Sequence, residues 1–171
     1  MSRGFVKEDD LEHAGTDVPE RPISAHANYM TEVGFLTLNQ QLNGFEKQKN
    51  QLSQDKESTS AQQQLAVLNR DIRYLTARIE SAIVSKPDSN LTVVFGATVT
   101  VENTDGETQS YHIVGEDEAD VKCGKISWAS PLAKALIGQK VGDDVTWKRP
   151  AGDLNLSIVK IVISKPLSRC D

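Results

Sequence analysis

Between Pro22 and Pro87 the chain contains no proline, and two apolar stripes run through that stretch at heptad spacing. Phe35, Leu38, Leu42, Phe45 and Leu52 fall at steps of 3, 4, 3 and 7. Leu65, Leu68, Ile72, Leu75 and Ile79 fall at steps of 3, 4, 3 and 4. Such spacing keeps one apolar seam on each helix facing a partner. The stripes mirror one another: Leu52 with Leu65, Phe45 with Ile72, Leu42 with Leu75 and Leu38 with Ile79 all have indices summing to 117. Phe35 then meets Ala82, and Lys49, the gap in the first stripe, meets Leu68. The midpoint lies between Ser58 and Thr59, inside the polar run Asp55-Lys56-Glu57-Ser58-Thr59-Ser60. This predicts an antiparallel coiled-coil finger from about Thr31 to Val84, with arms of roughly 25 residues and 37 Å. Ser60 with Gln63, or Thr59 with Gln62, supplies a capping box for the second helix. The alternative is two helices of an ordinary bundle. Against it, the remaining faces are rich in Gln, Asn, Lys and Ser, and no third long amphipathic helix appears.

Beyond Pro87 the period changes. Thr92–Phe95 and Ala97–Val101 are β-rich, and Asn103-Thr104-Asp105-Gly106 is a strong hairpin signal leading to a return strand over Gln109–Val114. Gly115-Glu116-Asp117-Glu118-Ala119-Asp120 reads as a solvated loop, because its spacing fits no EF-hand. Lys125–Trp128, Val145–Lys148 and Leu154–Ile163 read as strands. Ser130-Pro131-Leu132-Ala133-Lys134-Ala135-Leu136-Ile137-Gly138 reads as a short helix with Ser130 at the N-cap, Pro131 at the first helical position and Gly138 past the end. The fold class is therefore α+β: an N-terminal antiparallel α-helical coiled-coil hairpin, then a small antiparallel β domain with one short helix. Residues 1–28 read as a flexible acidic arm, 29–86 as the finger and 87–171 as the C-terminal domain.

Charge narrows the function classes. The net charge is -5 over 171 residues. It divides into -3 for residues 1–28 (3 basic, 6 acidic), +1 for 29–86 (7 basic, 6 acidic) and -3 for 87–171 (9 basic, 12 acidic). Binding nucleic acid by backbone charge needs clustered Lys and Arg, so nucleic acid is expected only indirectly, through a partner. No run of about 18 apolar residues predicts a membrane span, and the N-terminus has no signal-like apolar region. Cys123 and Cys170 show no metal spacing and are expected as free thiols in a reducing, cytoplasmic setting. His13, His26 and His112 are scattered, and no nucleophile–base pair suggests a catalytic site of the chain's own.

The order of arm, finger and small domain resembles the bacterial Gre-type transcription elongation factors. Phe95-Gly96-Ala97-Thr98-Val99-Thr100-Val101 looks like that family's first strand pair. Ile113 through Asp120 looks like its central loop, and Ser130–Gly138 followed by Val141-Gly142-Asp143 is close to its most characteristic run. Weaker similarity reaches Arg73-Tyr74-Leu75-Thr76, while the acidic arm lies outside the family pattern. The resemblance implies an FKBP-like C-terminal domain that docks at the RNA polymerase secondary channel and a finger that enters it. It implies an accessory factor, not an enzyme, with no cofactor of its own. Any Mg²⁺ is shared with the polymerase, whose two-metal site activates the water that cuts backtracked RNA.

Carried over position by position, the resemblance puts Ser130 and Pro131 at the polymerase-binding surface, together with the preceding Trp128 and Ala129; the family is often acidic or polar at the position of Ala129. The other reading is that Ser130 and Pro131 only start the helix. At the tip, the family's Asp-x-x-Glu-Asn pattern is absent between Lys49 and Leu65, leaving Asp55 and Glu57 as the candidates to hold the polymerase's Mg²⁺. Their other reading is as solvated charges at a helix end. The finger is also about two heptads shorter than the family's usual one, or on the order of 10 Å of reach. Cleavage stimulation is therefore doubtful, and occupancy of the channel without cleavage is the expectation. A hairpin closed within one chain predicts a monomer. The competing reading is a coiled-coil interaction or dimerisation protein with another partner.

Overall fold

The computed structural model describes residues 18–54, 58–88 and 91–163. Asp55, Glu57 and Cys170 lie outside the described residues.

Two long helices form where the heptad stripes predict them: α1 over Glu32–Leu52 and α2 over Thr59–Glu80. At 1.5 Å per residue each is about 32 Å long, slightly shorter than expected. From Thr37 onward, the shielded positions of α1 are Leu38, Asn39, Leu42, Phe45, Lys49 and Leu52. That is the first stripe, with Lys49 filling its gap. On α2, Ala61, Leu65, Leu68, Ile72, Leu75 and Ile79 are all shielded. Leu38 and Leu75 are buried, and each contributes roughly 2 kcal/mol through removal of apolar surface from water. The second helix starts one residue earlier than the capping boxes suggested. Ser58 is the N-cap, its hydroxyl accepting from Ala61 N at 3.3 Å. No glutamine stands at the third helical position, so the reciprocal half of a box is missing.

The segment before α1 is not entirely free. From Asn69 to Ile79 only Arg73 of α2 is exposed, a wider shielded arc than one seam produces. Part of the extra cover comes from residues 20 and 21. Arg21 lies over the Tyr74 ring, 3.8 Å from its centroid, and its guanidinium is 3.6 Å from the Asp71 carboxylate. Glu20 pairs with Arg73. By contact clustering, residues 37–81 form one compact unit with 18–25, while 26–36 group with the C-terminal residues from Ala82. A contiguous division at 28 and 86 cuts the chain differently.

In the second unit, β1 (Tyr29–Met30) pairs with β2 (Ile83–Val84) in parallel. Ile83 N donates to Asn28 O at 2.8 Å and Ser85 N to Met30 O at 2.9 Å. The domain proper is a five-stranded sheet built from β3 (Thr98–Asn103), β4 (Thr108–Val114), β5 (Lys125–Ser127), β6 (Asp144–Trp147) and β7 (Leu154–Val162). The strand order is β5-β4-β3-β7-β6. Every pair is antiparallel except β4 with β5, so the sheet is mixed at one edge. That edge is parallel because two short 3₁₀ turns, Glu116–Glu118 and Val121–Cys123, carry the chain back to the start of the sheet before β5. The β3–β4 hairpin turns at Gly106, with Asn103 Oδ1 accepting from Asp105 N and Glu107 N, each at 2.9 Å.

The core is aliphatic. Val99, Val101, Ile113 and Ile158 from the sheet meet Leu132, Ala133 and Leu136 of the short helix α3 (Pro131–Leu136). Cys123 is disulfide-bonded and is not the free thiol expected. Separation along the chain carries no information on which thiols meet in space. Among the described residues, no helix is long and apolar enough to cross a membrane.

Candidate functional site

The predicted docking residues fall at the start of α3. Ser130 is the N-cap, its Oγ accepting from Ala133 N at 3.3 Å, and Pro131 occupies the first helical position, exposed. Pro131 has no N–H to leave unsatisfied there, which makes it a cheap exposed residue at a fixed orientation. Ala129 is half-buried, its N–H donating to Ser127 Oγ at 3.2 Å.

Trp128 faces elsewhere. Its ring meets Tyr29 edge-on, with centroids 5.2 Å apart and planes at 88°, and meets His26 at 5.9 Å and 73°. Its backbone N–H donates to Val114 O at 2.9 Å. Trp128 thus clamps the chain entering β1 against the sheet. Such edge-to-face pairs add about 0.5–1.5 kcal/mol beyond area burial.

The acidic loop is not simply solvated. Glu118 reaches the first turn of α1, where Oε2 accepts from Thr31 N at 3.0 Å and Oε1 accepts from the Thr31 hydroxyl. Oε2 also accepts from Gly115 N at 3.0 Å. Thr31 Oγ1 in turn accepts from Gly34 N at 3.0 Å. Thr31 is therefore the N-cap of α1, and Gly34 sits at the third helical position, where a capping box would carry Glu or Gln. Glu118 performs that residue's task from 84 positions away (118 less 34). The vacancy at position 34 is what admits it: a Cβ on Gly34 would lie 2.0 Å from Glu118 Cδ. Gly115 is constrained likewise, since a Cβ there would lie 2.4 Å from Tyr29 O. The carboxylate also faces the positive end of the α1 dipole. Beside it, Glu116 Oε1 lies 3.0 Å from His26 Nδ1.

His112 is the one buried histidine among the described residues. Burial, its largest influence, pushes it below the ordinary 6.5, against the Gly96 carbonyl 3.2 Å from Nε2. It is a neutral core histidine. Burial likewise raises the Tyr111 phenol. Among the described residues no group of three or more His, Cys, Asp or Glu side chains is placed to hold a metal. Asp55 and Glu57 lie outside the described residues, so the tip reading has no geometry attached.

The sequence reading missed the Glu118 clamp. One signal was present: Thr31 followed three residues later by glycine, a capping box with its second half removed.

The family described as "Transcription elongation factor, GreA/GreB, C-term" matches residues 88–162. The transcription elongation factor GreA of Pelobacter propionicus is 43% identical over 116 residues, covering 64% of this chain and 72% of that protein. GreA of Pseudomonas syringae pv. tomato is 34% identical over 145 residues, covering 82% and 91%. Among solved structures, the GreA factor homolog 1 of Thermus thermophilus matches at 27% identity and a TM-score of 0.39, covering 80% of this chain and 99% of that one.

Proposed function

The chain belongs to the GreA/GreB family of transcription elongation factors, and from that premise we propose that it binds RNA polymerase at the secondary channel. The C-terminal domain docks through the surface around Ser130 and Pro131, and the finger enters the channel. The observation that carries this reading is the match of residues 88–162 to the family's C-terminal domain, with Pro131 exposed at its centre. In this reading the factor acts in the cytoplasm as a monomer and touches nucleic acid only through the transcription complex. It is an accessory to the polymerase's active site and brings no catalytic residues of its own.

We further propose that it occupies the channel without stimulating transcript cleavage. A carboxylate must come within about 2.0–2.6 Å of a metal to enter its first shell. The finger's only tip carboxylates, Asp55 and Glu57, lack the family spacing. Capture of bacterial core RNA polymerase by the tagged full chain tests the first step. Retention that Pro131→Asp abolishes is the expected result, and no retention by the parent chain sinks the proposal. A cleavage assay on backtracked complexes tests the second. Equal, slow RNA release with the parent chain and with Asp55→Ala/Glu57→Ala is expected; rapid release by the parent alone makes it a cleavage factor.

A further inference from the structure

The turn that presents Ser130 and Pro131 is built with little slack. Ser130 N donates to Ser127 O at 2.9 Å, and Ala129 N donates to Ser127 Oγ at 3.2 Å. Trp128 is the second residue of that four-residue turn. Pro131, its φ fixed by its own ring, follows the Ser130 N-cap directly. A rotation at Trp128 therefore carries through to Pro131, because both intervening residues are tied by hydrogen bonds. We propose, on the docking reading above, that Tyr29 and His26 are positioning residues for this surface: they hold the Trp128 indole, and through it they set the direction in which Ser130 and Pro131 face the polymerase.

Two observations carry that assignment. The first is how the indole is held. It packs against the aliphatic core, and the Tyr29 and His26 rings meet it edge-on, with centroids 5.2 and 5.9 Å away. A buried indole N–H ordinarily finds an acceptor. Among the described residues Trp128 Nε1 is buried and has none. Lacking a polar anchor, the ring keeps its orientation by packing, and Tyr29 and His26 supply part of that packing.

The second is that both residues are themselves fixed. Tyr29 pairs with Ile83 of β2, and its ring packs at 45° against Phe95, 5.9 Å away. Its carbonyl oxygen lies so near Gly115 that a Cβ there would come within 2.4 Å. His26 Nδ1 stands 3.0 Å from Glu116 Oε1, and Thr31 N donates to Glu118 Oε2 at 3.0 Å. One acidic turn thus grips the segment 26–31 at both ends. That segment groups with the docking turn in one compact unit, yet it stands before the finger and outside residues 88–162. The docking surface is therefore completed by side chains from outside the C-terminal domain.

The test replaces Tyr29 in the full chain and reads two quantities. One is the ¹⁹F NMR signal of 5-fluorotryptophan at position 128, assigned with Trp147→Phe. The other is the dissociation constant for bacterial core RNA polymerase. Without its edge-to-face pair the indole spends less time in the set orientation, and apparent affinity falls by that fraction. Tyr29→Ala is expected to move the ¹⁹F signal and to weaken polymerase binding about three- to tenfold. Tyr29→Phe, which keeps the ring, should restore both, and His26→Ala should weaken binding about twofold. In a Pro131→Ala background Tyr29→Ala should cost less than in the parent, since both changes act on one surface. Each variant is compared where circular dichroism shows it folded; should Tyr29→Ala not fold, Tyr29→Leu, which keeps bulk without a ring, carries the same expectation. Affinity unchanged by the loss of the ring, lowered equally by Tyr29→Phe, or fully additive with Pro131→Ala overturns the proposal and leaves the docking reading standing. No binding by the parent chain sinks the docking reading itself, whatever the ¹⁹F signal does.

Discussion

The start and the middle of α1 are specified in different ways. At its start, a carboxylate from the sheet domain occupies the place of a helix side chain, and a single Cβ would displace it. Ten residues on, at Gly44, nothing lies within 4 Å of where a Cβ would stand. Where the finger begins is fixed by a few matched atoms. Its further course is fixed by a periodic stripe that tolerates many side chains.

The sharpest way to break that contrast is to make the same change at both places. Gly34→Ala is expected to cost about 2–4 kcal/mol, since it expels Glu118 and leaves Thr31 N without its acceptor. Urea denaturation followed by circular dichroism reads it. The double variant Gly34→Ala/Glu118→Ala should cost clearly less than the two single changes added together, because they remove the same contact. Glu118→Gln comes next, at about 1–2 kcal/mol, as the charge-assisted bonds become ordinary ones. Gly44→Ala should move the other way, stabilising by about 0.5–1 kcal/mol through helix propensity alone. Equal effects at positions 34 and 44 would erase the distinction.

The smallest effect belongs to His112. Its folded-state pKa lies below the unfolded value, so its contribution is complete well above pH 6.5 and is lost as pH falls through that value. Stability should therefore be lower at pH 6 than at pH 7, as urea denaturation at the two pH values reads, and His112→Gln should remove that part of the pH dependence.

The heptad stripes and the Asn103–Gly106 turn were readable because each is a local pattern with one cheap geometry. The same holds for Ser130 and Pro131, whose capping chemistry is contained within four residues. The expected solvation of Glu118 failed because its helix partners lie 84 and more residues away. A run of acids looks the same in sequence whether it meets water or a helix end. The arm failed in part for a similar reason: Pro19 and Pro22 signal irregular chain, but not the Arg21–Tyr74 and Glu20–Arg73 contacts that hold it. The parallel β4–β5 edge depended on two 3₁₀ turns too short to leave a period.

The Glu118 clamp also has a consequence for how this sequence can change. Positions 34 and 118 behave as a lock with two tumblers. A lineage that exchanges one of them alone passes through a weakened protein. One that exchanges both at once, placing glutamate at 34 and a small residue at 118, gives the helix a start signal of its own. A glycine at position 34 is thus a record, written in the finger, of a side chain that lives in another part of the chain.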